Sequence, residues 1–139
     1  MNIYFSCSLT GGRQDQAVYA RIVNHLLKLG HAVPTAHLAH PDIMAQDRIV
    51  IASEIYQRDI AWLDGCDAVI AEVSTPSHGV GYEIAYALGL HKPVLCCHHY
   101  SRPVSKMLSG NNSEGIQVSA YNDANEATIR ITSFLEKLV

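Results

Sequence analysis

The stretch that most constrains this chain is residues 71–93, AEVSTPSHGVGYEIAYALGLHKP, together with the apolar run leading into it. Ala68–Val73 is nearly continuous and apolar, the pattern of a strand covered on both faces. Ser74, Thr75, Pro76 and Ser77 break the run, Gly79 and Gly81 permit close backbone approach, and Tyr82–Leu90 has helical composition. A strand that turns into a helix through such a loop belongs to an open α/β sheet. There, free backbone N–H groups and the helix dipole converge on a ligand. Glu83 stands at the mouth of that helix. A loop built only to hold an anion has no use for a neighbouring carboxylate, so the pairing points to chemistry on a phosphorylated small molecule.

The same alternation runs along the whole chain. Asn2–Cys7 reads as a strand, Gln14–Leu29 as a helix with Val18, Ile22, Leu26 and Leu29 on one stripe, and Gly30 as its C′ residue. A short strand is expected near Ala32–Ala36, an irregular segment over 37–46, and a long helix over Ile49–Leu63. Strands at Val94–His98 and Gln117–Ala120 come next, with a short helical piece near Val104–Leu108 between them. A final helix over Ala124–Leu138 is capped by Asp123. The expectation is one α/β domain over residues 1–139: a doubly wound, Rossmann-like, parallel five-stranded sheet with helices on both faces.

Composition removes several function classes. At 139 residues the chain suffices for one domain that buries roughly 70% of its unfolded surface. A net charge of −3 without a basic run argues against a nucleic-acid polymer or a membrane surface as partner. No apolar run approaches the ~20 residues of a membrane span, and residues 1–8 lack the basic start of a leader. Cys7, Cys66, Cys96 and Cys97 show no C-x-x-C or disulfide spacing, so reduced thiols in a cytoplasmic protein are expected. Eight histidines invite a metal. Yet His98 and His99 are adjacent in a strand and point to opposite faces, and no metal-binding spacing is present, so neither metal nor cofactor is expected.

Three more features bear on chemistry. The loop SLTGGR after the first strand places hydroxyls and two glycines before a helix, as an anion cradle or as a plain tight turn. It matches neither a Walker A motif nor a full G-x-G-x-x-G. Asp59 lies one turn from Ile55, Trp62 and Leu63 on an otherwise apolar helix face. A carboxylate there needs a partner or a raised pKa. It is either half of a buried ion pair or a cap for a neighbouring loop, or, with Glu83, one of the two carboxylates that glycosidic cleavage uses. Tyr4 in the first strand is either core packing or a hydroxyl that reaches Glu83, provided its strand neighbours Ala68–Val73. His37 comes after the second expected strand and could border a ligand.

With those residues in view, the chain resembles the 2′-deoxynucleoside 5′-phosphate N-hydrolases of the nucleoside 2-deoxyribosyltransferase superfamily. The resemblance rests on IYFSCSLTGGRQDQAVY, YQRDIAWLDGCDAVIAEVSTPSHGVGYE and PVSKML. It implies hydrolysis of the N-glycosidic bond of a nucleoside 5′-monophosphate, releasing the base and (deoxy)ribose 5-phosphate. By motif, Glu83 is the implied nucleophile, Asp59 assists departure of the base, and Tyr4 orients Glu83. The implied substrate contacts are Cys7, Ser8, Leu9, Thr10, Gly11, Gly12 and Arg13, then Tyr19, His37, Ser77 and Gly79, and finally Ser105, Lys106 and Met107. Ser105 is expected to complete the phosphate site of the second subunit of a homodimer, with Ile84 and Leu88 as apolar interface positions. The family often has Arg where Thr10 stands and Gly where Cys7 stands, which bears on phosphate binding and on which sugar or base is accepted.

Rival readings differ in the step after bond cleavage, or in the substrate. In a nucleoside deoxyribosyltransferase a second base attacks instead of water, although Ser105 and the hydroxyl-rich loops favour a phosphorylated substrate. A CMP-type ribonucleotide N-glycosidase differs only in sugar and base. A phosphoribohydrolase of the lysine-decarboxylase-like type would carry P-G-G-x-G-T-x-x-E, which is absent. A nucleotide-sensing module has little use for Tyr4, Asp59 and Glu83 together.

Overall fold

Four apolar segments line up as β1 (Ile3–Ser6), β2 (Ala68–Glu72), β3 (Val94–His99) and β4 (Ile116–Tyr121), all parallel and in that spatial order. The computed structural model describes residues 1–139, except the side chains of residues 46 and 47. The first three strands are buried almost throughout, which is why they read as near-continuous apolar runs. Helices cover both faces. Ile3, Phe5, Ile70, Leu95 and Cys97 pack on one side with α1 (Gln16–Lys28) and α6 (Ala124–Leu135). Tyr4, Val69, Ala71, Val94 and Cys96 pack on the other with α3 (Ala52–Gly65) and α4 (His78–Gly89). Cys96 and Cys97 thus point to opposite faces, and all four cysteines are free and buried.

The sheet has four strands where the sequence suggests five. The segment after Gly30 makes only a single parallel bridge, Asn2 with Ala32. Two backbone bonds form there, Ile3 N–H to Ala32 O (2.8 Å) and Ala32 N–H to Met1 O (3.0 Å). Pro34 then has no N–H to give, and the next β1 donor, Phe5 N–H, goes to the Thr35 hydroxyl at 2.8 Å. The side chain has replaced the ladder bond, and the strand ends. The bridge still lies on the side of β1 opposite β2, so the chain reverses direction at β1 and β2. Their carboxyl ends define the switch point, where open sheets place ligands.

Helix ends reflect their local chemistry. Tyr19, Ile22, Val23 and Leu26 form the buried stripe of α1. Gly30, at φ +81°, closes it with Gly30 N–H to Leu27 O and His31 N–H to Leu26 O, the Schellman pattern. Asp123 caps α6 by accepting from Glu126 N–H at 2.9 Å. The long helix expected over Ile49–Leu63 begins only at Ala52, because Ile51 is extended (ψ 144°) and Ile49 is 86% exposed with no core to join. The irregular segment before it holds a 3-10 turn, Ala36–Ala39, and α2 (Ile43–Asp47). The short piece near residue 105 is α5 (Lys106–Ser109). Among the described residues, no helix is long and apolar enough to cross a membrane.

Candidate active site

Glu83 is built into the fold by both elements that meet at the switch point. Ser77 caps α4, its hydroxyl accepting from Val80 N–H at 3.4 Å, and this sets the first turn so that Glu83 faces β1. On β1, Tyr4 and Ser6 are two residues apart and so share a face. The Tyr4 hydroxyl donates to Glu83 Oε1 at 2.9 Å, and the Ser6 hydroxyl donates to Oε2. Both carboxylate oxygens are therefore held. The pairing that allows it is direct, with Tyr4 opposite Val69 in the β1–β2 ladder. Burial raises the Glu83 pKa above the ordinary carboxylate range; the two hydroxyls work against that rise, and the nearby Asp59 charge adds to it. The Tyr4 hydroxyl is likewise pushed far up, by burial first and then by Glu83 and Asp59, and stays a donor.

Asp59, on α3, faces the same space. Its carboxylate is 18% exposed and accepts from Arg58 Nε at 2.9 Å. Asp59 has the ion-pair partner that the sequence asks for, and it also lines a cavity with Glu83. That cavity, about 170 Å³, is lined by Cys7, Leu9 and Thr10 from the first loop, Leu38, Ile55, Arg58, Asp59, and Ser77, Gly79, Val80 and Glu83. A second, apolar lobe of about 280 Å³ shares Ile55, Asp59, Gly79 and Glu83 with it, and adds Tyr56, Ile60, Leu63 and Tyr82. The carboxylates sit where a polar lobe meets an apolar one.

The two loops touch. A Cβ on Gly11 would collide with the Pro76 carbonyl oxygen and lie 2.7 Å from Ser8 Oγ, so only glycine lets the loops close on each other. Gly12, at φ +128°, makes the next turn of the chain. Around this contact, Ser8 Oγ, Arg13 Nε and Tyr19 OH are buried without a hydrogen-bond partner among the described residues. Leaving a buried donor unpaired costs roughly 1–3 kcal/mol, and these three stand behind the first loop, outside the lining of the Asp59–Glu83 cavity. Burial pushes the Cys7 thiol up to about 12, and it remains a neutral thiol beside the loop.

The other expected residues divide. Arg13 lies over the Tyr19 ring at 5.4 Å and donates to His40 O at 3.0 Å; Tyr19 is fully buried. His37 packs edge-on to Trp62 at 5.6 Å. Arg13, Tyr19 and His37 are not among the residues lining the Asp59–Glu83 cavity. Ser105 caps α5 through Met107 N–H at 3.2 Å and, with Met107, lines a groove of about 350 Å³ between α4 and α5 that shares Ser77 and Val80 with the Asp59–Glu83 cavity. Lys106 and Met107 are exposed. Of the two interface positions, Leu88 is half-buried, but Ile84 is only 2% exposed and packs into its own core, so it is not a free apolar position. Sequence reasoning missed Ser6, although it shares Tyr4's strand parity, and it missed Arg58 beside Asp59. It also missed a lock behind the loop: Asp15 Oδ2 accepts from Thr75 OH and from Arg102 Nη1, both at 2.8 Å.

Residues 3–128 match the nucleoside 2-deoxyribosyltransferase family, and the chain belongs to it. It is 38% identical over 129 residues to the 5-hydroxymethyl-dUMP N-hydrolase of Mus musculus, covering 90% of this chain and 73% of that protein. It is 39% identical over 137 residues to a Methanosarcina mazei protein provisionally named 2′-deoxynucleoside 5′-phosphate N-hydrolase 1, covering 99% and 85%. Among solved structures, the CMP N-glycosidase BcmB of Clostridium botulinum superposes with a TM-score of 0.73 over 96% of this chain and 99% of that one. At 16% identity, that likeness speaks for the fold alone. The resemblance drawn from the motifs and these relatives agree on an enzyme that breaks N-glycosidic bonds.

Proposed function

We propose that the chain hydrolyses the N-glycosidic bond of (deoxy)ribonucleoside 5′-monophosphates, with Glu83 as nucleophile. The observation that carries this is one carboxylate held at both oxygens by Tyr4 and Ser6, facing a second carboxylate, Asp59, across a cavity that two hydroxyl-rich loops close. A Glu83 oxygen attacks C1′, and the bond to the base nitrogen breaks with its electron pair leaving on the base. Asp59 is assigned the proton transfer to the departing base. Water then attacks C1′ and gives a proton back to Asp59, the ester to Glu83 breaks, and (deoxy)ribose 5-phosphate leaves with the Glu83 carboxylate restored. Tyr4 and Ser6 keep Glu83 aimed and hydrogen-bonded between the two steps. The phosphate is read as lying against Ser8, the Gly11–Gly12 backbone, Ser77 and Gly79 at the amino end of α4, where N–H groups and the helix dipole favour an anion. Ser105 is assigned to a partner subunit's phosphate in a cytoplasmic homodimer.

Comparing kcat/KM for a deoxynucleoside and its 5′-monophosphate, each with and without a second free base, tests the reading. The monophosphate is expected to win by about 100-fold or more, because a plain nucleoside leaves the hydroxyl and backbone donors of the two loops without their anion. Equal values, or a product that requires the second base, would instead assign a deoxyribosyltransferase.

A further inference from the structure

We infer that Arg58 is a positioning residue that holds Asp59 in its working orientation, and that Trp62 and His37 form the stack that holds Arg58; this rests on the proposed role of Asp59. Neighbouring residues on a helix point about 100° apart and do not meet by default. Arg58 and Asp59 nonetheless make a 2.9 Å bond from Nε to Oδ1. The reason is one turn further on. The Arg58 guanidinium lies over the Trp62 ring, 4.8 Å from its centroid, and this i,i+4 contact bends the side chain across the helix surface. Trp62 is in turn braced by the edge of His37, at 5.6 Å and 62°, from the 3-10 turn beyond the cavity. Three side chains from two elements thus fix one carboxylate.

This arrangement has two consequences for chemistry. The bond engages Oδ1, which leaves Oδ2 as the oxygen to meet a ligand. The guanidinium also donates to Oδ1 both before and after Oδ2 gives up its proton, so the carboxyl keeps its orientation through the transfer. With Arg58 30% and Asp59 18% exposed, the pair is shielded from water more than a surface ion pair. A lysine in its place would keep the charge. It would lose both the flat face that stacks on Trp62 and the Nε–H that reaches Oδ1.

The test is steady-state kinetics of Arg58→Ala, Arg58→Lys, Asp59→Asn and the Arg58→Ala/Asp59→Asn double variant, on whichever deoxynucleoside monophosphate the wild type turns over fastest. Arg58→Ala is expected to lower kcat by roughly 10- to 100-fold, the scale of a misplaced group, with KM within about threefold. Arg58→Lys should recover part of the loss, and added methylguanidinium should partly rescue Arg58→Ala but not the double variant. In the Asp59→Asn background, removing Arg58 should cost nothing further. A raised KM with kcat intact would make Arg58 a direct substrate contact and overturn the inference. So would unchanged kinetics, or losses that add fully with those of Asp59→Asn. If Arg58→Ala is impaired while Asp59→Asn is fully active, the role proposed for Asp59 fails, and this inference fails with it. If only Asp59→Asn is impaired, that role stands and the inference alone is overturned.

Discussion

The molecule holds two glutamates in almost the same chemical grip, one fully buried and one half-buried, and they face different futures. Glu83 accepts from the hydroxyls of Tyr4 and Ser6. Glu72, at the end of β2, accepts from the hydroxyls of Tyr121, at 2.7 Å, and Ser74. Burial raises both carboxyls above the ordinary range, against the pull of those hydroxyls. The difference lies in what else each one meets. Glu72 is 0% exposed, and its Ser74 partner also accepts from His99 N–H at 2.7 Å, tying β2 to β3 and β4. Glu83 opens on a cavity and on a second carboxylate. A tyrosine–serine clamp around a glutamate is therefore not itself a sign of catalysis. Access to a cavity is what separates a brace for the 73–77 loop from a candidate nucleophile.

Removing each carboxylate is the strongest way to break this comparison. Glu83→Gln is expected to cost at least about a thousandfold in kcat while leaving nucleotide binding largely intact, since the amide keeps its shape but cannot attack C1′. Glu72→Gln should stay within about threefold of wild type. Equal losses at both positions would erase the distinction.

The hydroxyl donors sharpen it at the next level. Tyr4→Phe should lower kcat by roughly 10- to 100-fold, because Glu83 loses the bond to Oε1 that aims it. Tyr121→Phe should leave kcat near wild type and lower stability by about 1–3 kcal/mol, the cost of an unmatched buried acceptor. Melting curves and turnover on the same preparations read both effects.

The smallest effect lies in the pH dependence. A carboxyl whose pKa is raised in the fold binds its proton more tightly folded than unfolded. From about pH 4.3 upward, the unfolded value, its contribution to stability falls as pH rises towards the folded value. Each Glu→Gln variant should therefore gain in Tm relative to wild type as pH rises from 4 to 7. The acidic limb of kcat/KM should lie above pH 4.3 and track Glu83, so Glu72→Gln leaves it in place. A limb that moves in Glu72→Gln would give the catalytic titration to the wrong residue.

Glu72 also shows where reading the sequence stops. The run Ala68–Val73 is legible as a doubly covered strand, and that pattern conceals the one charged residue inside it. Its partners, Ser74 and Tyr121, are 2 and 49 positions away, and only the β2–β3–β4 register brings Tyr121 near. Tyr4 and Glu83 were legible because strand parity, parallel pairing and the helix mouth leave them one direction to face. Ser6 has the same parity as Tyr4, but a serine at a strand end carries no signal of its own. The missing fifth strand turned on Pro34 and on a hydroxyl of Thr35 replacing a backbone acceptor, which hydrophobic pattern does not report. Arg58 was hidden by its own adjacency, since i,i+1 residues on a helix are not expected to meet.

Whether Glu83, and not its twin, forms a bond to the sugar is decided by trapping the intermediate. Wild-type enzyme would be mixed with excess deoxynucleoside monophosphate, acid-quenched within a few milliseconds, digested, and mapped by fragment-ion mass spectrometry. A deoxyribose 5-phosphate ester is expected on Glu83, accumulating and decaying within the turnover time, with no adduct on Glu72. An adduct on any other residue contradicts it. So does a burst of free base with no adduct at all, since water would then have attacked C1′ directly.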